Sequence, residues 1–334
     1  MNTCYFSKGL RRVILYVGCF SPVLLTGCNK AEQQHAQAAL VVEECSDYTW
    51  SGIGFGIEMS MELHSVTEKQ GDAIGAQTEQ VIQQLEQSFS LYLENSDLQI
   101  LNRERVLVNP SAQFLSLLGS AKSLNTRTKG YSQPAIHGAW SSLDSRIRKP
   151  MHWIEQCSAA NLNNVSISAK EVKFTHPLTQ LSFNAIVQGY LADGVKDIVL
   201  KAGVESALLH LGETYVIGSH PEGRSWELAV MGTAVDGEID LVGTMALNNA
   251  GLAVSAHDSS RQLLNPTNWN VEQSDRVVAV VSEEGAMVAD AFATAFAVAP
   301  KSAWPTLHAE LNKGGKCQVK IWVENQLSFK RVSE

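Results

Sequence analysis

The sequence has no run of five or six like charges, and its 26 Lys and Arg residues are outnumbered by 34 Asp and Glu, which gives a formal net charge of −8. Nothing in it would hold a phosphate backbone by charge, so nucleic acid is not expected as a partner. A GxGxxG fingerprint, a P-loop and an internal repeat of fixed period are also absent. Because 45% of the 334 residues are hydrophobic, disorder and collagen-like architecture are excluded, and one large domain or two closely packed ones are expected.

The N-terminus carries the features of a secretory signal. Lys8, Arg11 and Arg12 precede a mostly apolar run, Val13 to Leu25, which is too short to span a bilayer permanently. The run ends in Leu25-Thr26-Gly27-Cys28, which resembles the bacterial lipobox, in which the cysteine becomes the lipidated first residue of the mature protein. An ordinary secretory signal with an incidental cysteine is the alternative.

These features predict three regions. Residues 1–27 form a lipoprotein signal peptide, residues 28–47 form a polar tether with lipid on Cys28, and residues 48–334 form the folded domain. Several acyl chains on one cysteine give stable attachment, because a single chain binds a membrane only marginally. We therefore expect a membrane-anchored lipoprotein of the bacterial cell envelope that faces the periplasm.

Cysteine is scarce in the expected mature chain. Three of the six cysteines lie in the signal or at the lipid site, which leaves Cys45, Cys157 and Cys317 in an oxidising compartment. One disulfide among these three, with one buried thiol, is the expected arrangement. No CxxC pair or Cys/His spacing indicates a zinc site or a redox pair.

Apolar spacing predicts helices before residue 203 and mainly strands after it. Helical periodicity covers residues 74–89 and 114–124, and a third helix is expected from Ala185 to Ala202, with Gly203 placed to end it. Short β-type runs follow: Ser206–Gly218, Trp226–Met231, Ile239–Leu247, Leu252–Ser255, Val277–Val281 and Val319–Val323. Helices early, strands late and mixed connections predict an α+β fold rather than a doubly wound parallel sheet.

A fourth helix, Ala286 to Ala299, contains only two polar residues, Asp290 and Thr294. A helix that is apolar on all sides is buried, and these two residues lie one turn apart on the same face. An ionised carboxylate there needs compensation, and Mg²⁺ prefers such oxygen ligands. In the alternative reading, Asp290 caps a neighbouring loop and Thr294 bonds back to its own helix.

The segment Val288 to Ala295, VADAFATA, resembles the ADxxxT helix of the ApbE family, the FAD:protein FMN transferases. Further segments are similar to the family's motifs and follow in the same order: Phe89 to Asn102, Thr128 to Pro134, Ser182 to Asp193, Ser206 to Gly212, Val254 to Ala256 and Leu263 to Pro266. The resemblance extends from about Tyr48 to Ala299. It implies an ApbE-like, T-fold-related α+β body with antiparallel-rich sheets and buried helices.

The resemblance also implies the ligands and the residues of the site. Mg²⁺ would be bound by Asp290, Thr294 and the backbone carbonyl of Ala185, and FAD would be the substrate. The implied flavin-binding positions are Tyr92, Tyr131, Ser132, Gln133, Ser182, Gln188 and Leu264. An aromatic or leucine side chain at such a position is also a common core residue, which is the alternative for these.

Several polar positions depart from the family pattern. Ser182 replaces an acidic residue, Gln133 replaces an aspartate and Gln188 replaces Lys or Glu. Gln262 stands at the position of the family's histidine, and an amide cannot accept a proton as a general base does. His257 is a weak replacement, with a solvated surface histidine as the alternative, so the catalytic base is unassigned.

Three functions follow. The first is Mg²⁺-dependent transfer of FMN from FAD to a Thr or Ser of an extracytoplasmic redox protein, with release of AMP. The second is a catalytically degenerate FAD-binding lipoprotein, and the third is a Mg²⁺-dependent FAD pyrophosphatase. The intact Asp290 and Thr294 pair favours the first, and the lost polar positions favour the second.

Overall fold

An antiparallel sheet of eight strands runs through the part of the chain that the computed structural model describes, which is residues 44–143, 147, 149–233, 239–256, 263–272, 276–323 and 330–331. Its strand order is β1-β2-β6-β7-β10-β13-β14-β15. The strands of this sheet are β1 (Ser46–Gly54), β2 (Ile57–Val66), β6 (Ala207–Leu211), β7 (Glu213–Ile217), β10 (Ala250–Ala256), β13 (Arg276–Ser282), β14 (Cys317–Val323) and β15 (Lys330–Arg331).

Smaller β elements surround this sheet. They are the three-stranded sheet β3 (Val106–Val108), β5 (Glu171–Phe174) and β4 (Val165–Ile167), the hairpin β8 (Trp226–Thr233) and β9 (Ile239–Leu247), and the short pair β11 (Leu263–Leu264) and β12 (Val271–Glu272). The α-helices of the described residues are α1 (Glu68–Phe89), α2 (Asp97–Glu104), α3 (Ala112–Arg127), α4 (His137–Ser141), α5 (Pro150–Ala159), α6 (Val187–Lys201), α7 (Ala286–Val298) and α8 (Trp304–Leu311).

Both faces of the large sheet are covered, and the strand β13 shows why its sequence is continuously apolar. Val278 and Val280 pack into the main core with the helices, whereas Val277, Ala279 and Val281 pack into a second cluster on the other face. Side chains alternate across a strand, so a strand buried on both faces needs apolar residues at every position.

The hairpin β8–β9 covers the second face. Trp226, Val230, Met245 and Leu247 from this hairpin pack with strand residues such as Val216. The helices α1, α6 and α7 therefore lie on one side of the large sheet and the hairpin lies on the other.

The helix α7 is the most buried helix segment of the main core. Of its 13 residues, all except Met287 and Thr294 are buried. Gly285 precedes it with a φ of +145°, and Pro300 follows it. The predicted helix, Ala286 to Ala299, matches the observed one to within a single residue at the C-terminal end.

The other predicted elements are found with small differences. The helix α6 begins two residues later than predicted, because residues 184–186 form a turn. The run Ser206–Gly218 is two antiparallel strands, β6 and β7, since Gly212 makes the reversal between them with a φ of +92°. The strand β1 begins at Ser46, close to the expected start of the domain.

One prediction about the cysteines is wrong. Cys157 and Cys317 are both free thiols, so no disulfide joins any two of Cys45, Cys157 and Cys317. Cys157 is buried in a small apolar cluster, and burial raises its pKa to about 11. Cys28, the predicted signal peptide and most of the predicted tether lie outside the described residues. None of the described helices has both the length and the apolar character that a membrane span needs.

Candidate functional site at the start of helices α6 and α7

Asp290 is a buried carboxylate on α7 with an unsatisfied oxygen. Its side chain is in the core, with the residue only 4% exposed, and its Oδ2 atom has no hydrogen-bond partner among the described residues. Burial raises the pKa of Asp290 to about 8, while the nearby backbone amide of Gly189 favours the charged form. A buried group left in this state is costly, so the site is suited to a bound cation or a proton.

Thr294 lies one turn beyond Asp290 on the same face of α7 and is partly exposed. Its Oγ1 is 3.5 Å from Oγ of Ser255, near the end of β10. Ser255 is the only polar residue of β10, whose sequence is AGLAVSA. Asp290, Thr294 and Ser255 thus provide a carboxylate and two hydroxyl groups where α7 crosses the end of β10.

The start of α6 packs directly against α7. A Cβ atom on Gly189 would lie 2.5 Å from the carbonyl oxygen of Ala286 and 2.5 Å from Cα of Met287, so only glycine allows this approach. The turn before α6 contains Ala185, which is half-buried. In this turn the backbone amide of Asn184 donates to Oγ of Ser182 at 3.2 Å. Ala185 therefore lies four residues from the Gly189 amide that faces Asp290.

Both ends of α7 are capped by other elements. At its N-terminus the amides of Ala286 and Met287 donate to Oδ1 and Oδ2 of Asp193, on α6, at 2.9 and 3.0 Å. At its C-terminus Arg276, on β13, donates to the carbonyl oxygens of Ala297 and Ala299 at 3.3 and 3.0 Å. An acid at the N-terminus and a base at the C-terminus complement the helix dipole.

A turn from residues 128–135 lies beside the start of α6. The amide of Ser182 donates to the carbonyl of Pro134 at 2.8 Å, which joins the two segments. Ser132 is buried, and Asn125 donates to its carbonyl oxygen. Tyr131 is half-buried against the main core, and Oε1 of Gln133 accepts from the amide of Ala135. The structure thus brings Tyr131, Ser132, Gln133 and Ser182 together.

Gln188 also lies at this end of α6. Its side chain packs against Gly212, in the reversal between β6 and β7, where an added Cβ would lie 2.8 Å from Cδ of Gln188. The strand β11 lies near α7, and the amide side chain of Asn265 donates to the carbonyl of Val298 at 2.8 Å. Leu264 itself is buried in the separate cluster that contains Ala139 and Cys157.

Besides Leu264, three predicted positions are not brought to this cluster by a described contact. Tyr92 is 83% exposed, in the segment between α1 and α2. His257 and Gln262 lie outside the described residues. No group of three or more His, Cys, Asp and Glu side chains that could bind a metal occurs in the described ranges.

The sequence motifs of this cluster agree with a family model that matches residues 55–318 and describes the ApbE family. The chain belongs to the ApbE family. The α+β fold and the family predicted from the sequence are both confirmed.

Curated ApbE relatives are distant in sequence. The FAD:protein FMN transferase of Rhodobacter capsulatus is 25% identical over 277 residues, covering 77% of this chain and 52% of the relative. The protein of the same name from Haemophilus influenzae is 22% identical over 192 residues, covering 53% of this chain and 56% of the relative. The chain therefore spans about half the length of these two relatives.

Solved ApbE structures share the fold. The flavin transferase ApbE from Vibrio cholerae matches with a TM-score of 0.69 at 17% identity, covering 86% of this chain and 96% of that one. The ApbE protein from Thermotoga maritima matches with a TM-score of 0.71 at 18% identity, covering 86% and 97%. At these identities the similarity establishes the fold alone, and the chemistry must be argued from the residues of this chain.

The sequence patterns do not single out three residues of this candidate site. Gly189, Asp193 and Ser255 lie inside segments that resemble family motifs, and the motifs alone assign them no role. Two signals could have pointed to them: Gly189 and Asp193 are four apart and share one face of α6, and Ser255 is an isolated polar residue in an apolar strand.

Proposed function

We propose that the chain is a FAD:protein FMN transferase that uses Mg²⁺ bound at Asp290 and Thr294. It would transfer the FMN half of FAD to a Thr or Ser of an extracytoplasmic redox protein and release AMP. The observation that carries the proposal is the unsatisfied Oδ2 of a buried Asp290, one turn from Thr294 in an otherwise apolar helix. The names and family of the relatives support the same activity.

The atoms at this position fit Mg²⁺. The carboxylate of Asp290, the hydroxyl of Thr294 and the carbonyl of Ala185 are oxygen ligands, and Mg²⁺ usually takes few protein ligands and completes its shell with water and phosphate oxygens. A bound Mg²⁺ would neutralise negative charge on the diphosphate of FAD during transfer. It would also satisfy the Oδ2 atom, which has no hydrogen-bond partner in the part of the chain that the structure describes.

In the transfer step, the hydroxyl oxygen of the acceptor forms a bond to the phosphorus of the FMN half. The bond from that phosphorus to the oxygen of the AMP half breaks, and AMP leaves with the electron pair. The proton of the hydroxyl must pass to a base. His257 is the candidate for this role, because Gln262 cannot accept the proton.

The other predicted positions would bind the flavin nucleotide. We assign this role to the turn with Tyr131, Ser132 and Gln133, to Ser182 beside it, and to Gln188 at the start of α6. Tyr92 and Leu264 complete the proposed set. Burial in the main core and hydrogen bonds between the segments pre-organise the turn and the start of α6, which lowers the cost of binding.

A product analysis tests the function. The full chain in detergent is incubated with FAD, Mg²⁺ and an acceptor protein carrying a Thr/Ser flavinylation site, followed by mass spectrometry and nucleotide chromatography. We expect FMN on the acceptor together with one equivalent of AMP. Free FMN with AMP would instead mean hydrolysis of FAD, and unchanged FAD would mean binding alone, so either result contradicts the transferase.

The variant Asp290→Asn should lower the rate at least roughly 100-fold, which is typical for the loss of one electrostatic stabiliser. Asp197→Asn is the matched control. This aspartate lies on α6, is exposed and pairs with its neighbour Lys196, so its removal makes the same charge change away from the site. Full activity of Asp290→Asn would remove Asp290 from the mechanism.

A further inference from the structure

The helix α7 has no cap of its own at its N-terminus. The residue before it, Gly285, has no side chain, and the first turn contains no acidic residue. The first amides of a helix have no partner inside the helix, and here they are satisfied from another element. The carboxylate of Asp193 accepts from both Ala286 and Met287, at 2.9 and 3.0 Å.

The approach of this carboxylate depends on Gly285. A Cβ atom at position 285 would lie 2.6 Å from Oδ2 of Asp193, and the φ of +145° at this residue is one that side-chain-bearing residues rarely adopt. Gly189, one turn before Asp193 on the same face of α6, contacts the same first turn of α7. Two neighbouring positions of α6 therefore fix both the distance and the rotation of α7.

Rotation of α7 decides where Asp290 and Thr294 point. Asp290 is the fifth residue of α7, so it is less than one turn beyond Met287, whose amide Asp193 accepts from. The Gly189 amide that faces Asp290 is one turn from Asp193 along α6. The bidentate cap and the Asp290 carboxylate thus belong to the same short contact between α6 and α7.

We propose that Asp193 is a positioning residue for the cation site: its bidentate cap on α7 directs Asp290 and Thr294 into the site. The inference rests on the proposed function, because it assumes a divalent cation at Asp290. It assigns Asp193 no contact with substrate. Removing groups that orient metal ligands typically weakens metal binding 10–100-fold.

The test compares the full chain, Asp193→Asn and the control Asp197→Asn at pH 8, with Mn²⁺ as the probe. Asparagine keeps one acceptor oxygen but places an NH2 group against the second amide, so one of the two hydrogen bonds to the start of α7 is lost. Free Mn²⁺ measured by electron paramagnetic resonance gives the dissociation constant without turnover. We expect Asp193→Asn to raise this constant at least tenfold and Asp197→Asn to leave it unchanged.

A purely structural role for Asp193 predicts a different kinetic result. If Asp193 only stabilises the fold, the fraction of active protein falls at every Mg²⁺ concentration. If it positions the cation ligands, the Mg²⁺ concentration for half-maximal rate rises about tenfold, whereas the rate at saturating Mg²⁺ stays within about twofold of wild type. Equal Mn²⁺ affinity in Asp193→Asn and wild type would overturn the proposal.

Two further outcomes are decided as well. If the wild type binds no Mn²⁺ and has no turnover, the proposed function fails and this inference fails with it. If the wild type is active and Asp193→Asn has the same Mn²⁺ affinity and Mg²⁺ dependence, only the inference is overturned. If Asp193→Asn does not fold, hydrogen exchange on the wild type decides. We expect the amides of Ala286 and Met287 to be as protected as the middle of α7, and rapid exchange there would overturn the cap.

Discussion

Asp290 is a buried acid whose protonation depends on what lies beside it. Without a cation, burial raises its pKa to about 8, so the folded protein binds a proton there at neutral pH. An unfolded aspartate has a pKa of about 3.9. Between these two values the folded state binds one more proton than the unfolded state, so the free energy of unfolding falls as the pH rises.

This predicts a measurable pH dependence for the metal-free protein. In the presence of a chelator, the wild type should lose stability between pH 5 and pH 8, by at most about 1.4 kcal/mol per pH unit for one proton. Asp290→Asn cannot ionise and should lack this component. Urea unfolding at pH 5.5, 6.5 and 7.5 measures the free energy of unfolding of both proteins. The same pH dependence in wild type and Asp290→Asn would contradict the pKa of about 8.

Adding Mg²⁺ at pH 7.5 supplies the control for this prediction. A cation that binds the folded state alone stabilises it, and binding to the carboxylate displaces the proton. Mg²⁺ should therefore raise the free energy of unfolding of the wild type and leave Asp290→Asn unchanged.

At the scale of elements, the contact between α6 and α7 depends on a glycine. Gly189→Ala would place a methyl group 2.5 Å from the backbone of Ala286 and Met287, and backbone cannot move aside as a flexible side chain does. We expect a loss of roughly 1–3 kcal/mol in the free energy of unfolding, as for other overpacked sites. Urea unfolding measures it.

Gly194 on the same helix is the matched control. A Cβ atom there would meet nothing within 4 Å, and its φ is not positive. Gly194→Ala should therefore stabilise the protein by up to about 1 kcal/mol, because alanine is the better helix former. If Gly189→Ala and Gly194→Ala changed the free energy of unfolding equally, the close approach of α6 and α7 would not require glycine at position 189.

The elements differ in how far the sequence predicts them. The limits and burial of α7 follow from its sequence, because a run between Gly285 and Pro300 with only two polar residues fits no exposed helix. The hairpin β1–β2 was missed, although Ile57, Met59, Met61 and Leu63 alternate with polar residues along β2; only in β1 do Gly52 and Gly54 interrupt the apolar face. The cap by Asp193 could not be predicted, because it joins residues 93 positions apart.

At the scale of the whole molecule, long-range pairing sets the site. The strand β2 pairs with β6, and β7 pairs with β10, so the sheet that supports α6 and α7 is built from distant parts of the chain. Local sequence patterns predict most strands of this sheet but not their order. The order depends on contacts between distant parts of the chain, which a local pattern does not contain. The helix α6 packs on β6 and β7, the helix α7 packs on β10 and β13, and the two helices contact each other.

The predicted lipid anchor is tested on the whole chain. The lipobox-like sequence predicts that the chain expressed in a bacterium loses residues 1–27 and carries acyl groups on Cys28. Intact-mass analysis and detergent phase partitioning should find the processed, acylated protein in the detergent phase. Cys28→Ala should remain unacylated and leave that phase, and unchanged partitioning would contradict the anchor.

We propose that Asp290 and Thr294 bind a divalent cation beside the diphosphate of FAD. Crystals of the full chain or of its mature form, soaked with FAD and Mn²⁺ and measured above the manganese absorption edge, test it most directly. We expect an anomalous peak within coordination distance of Oδ2 of Asp290 and Oγ1 of Thr294. Bound FAD with no peak there, or with manganese bound elsewhere, would contradict it.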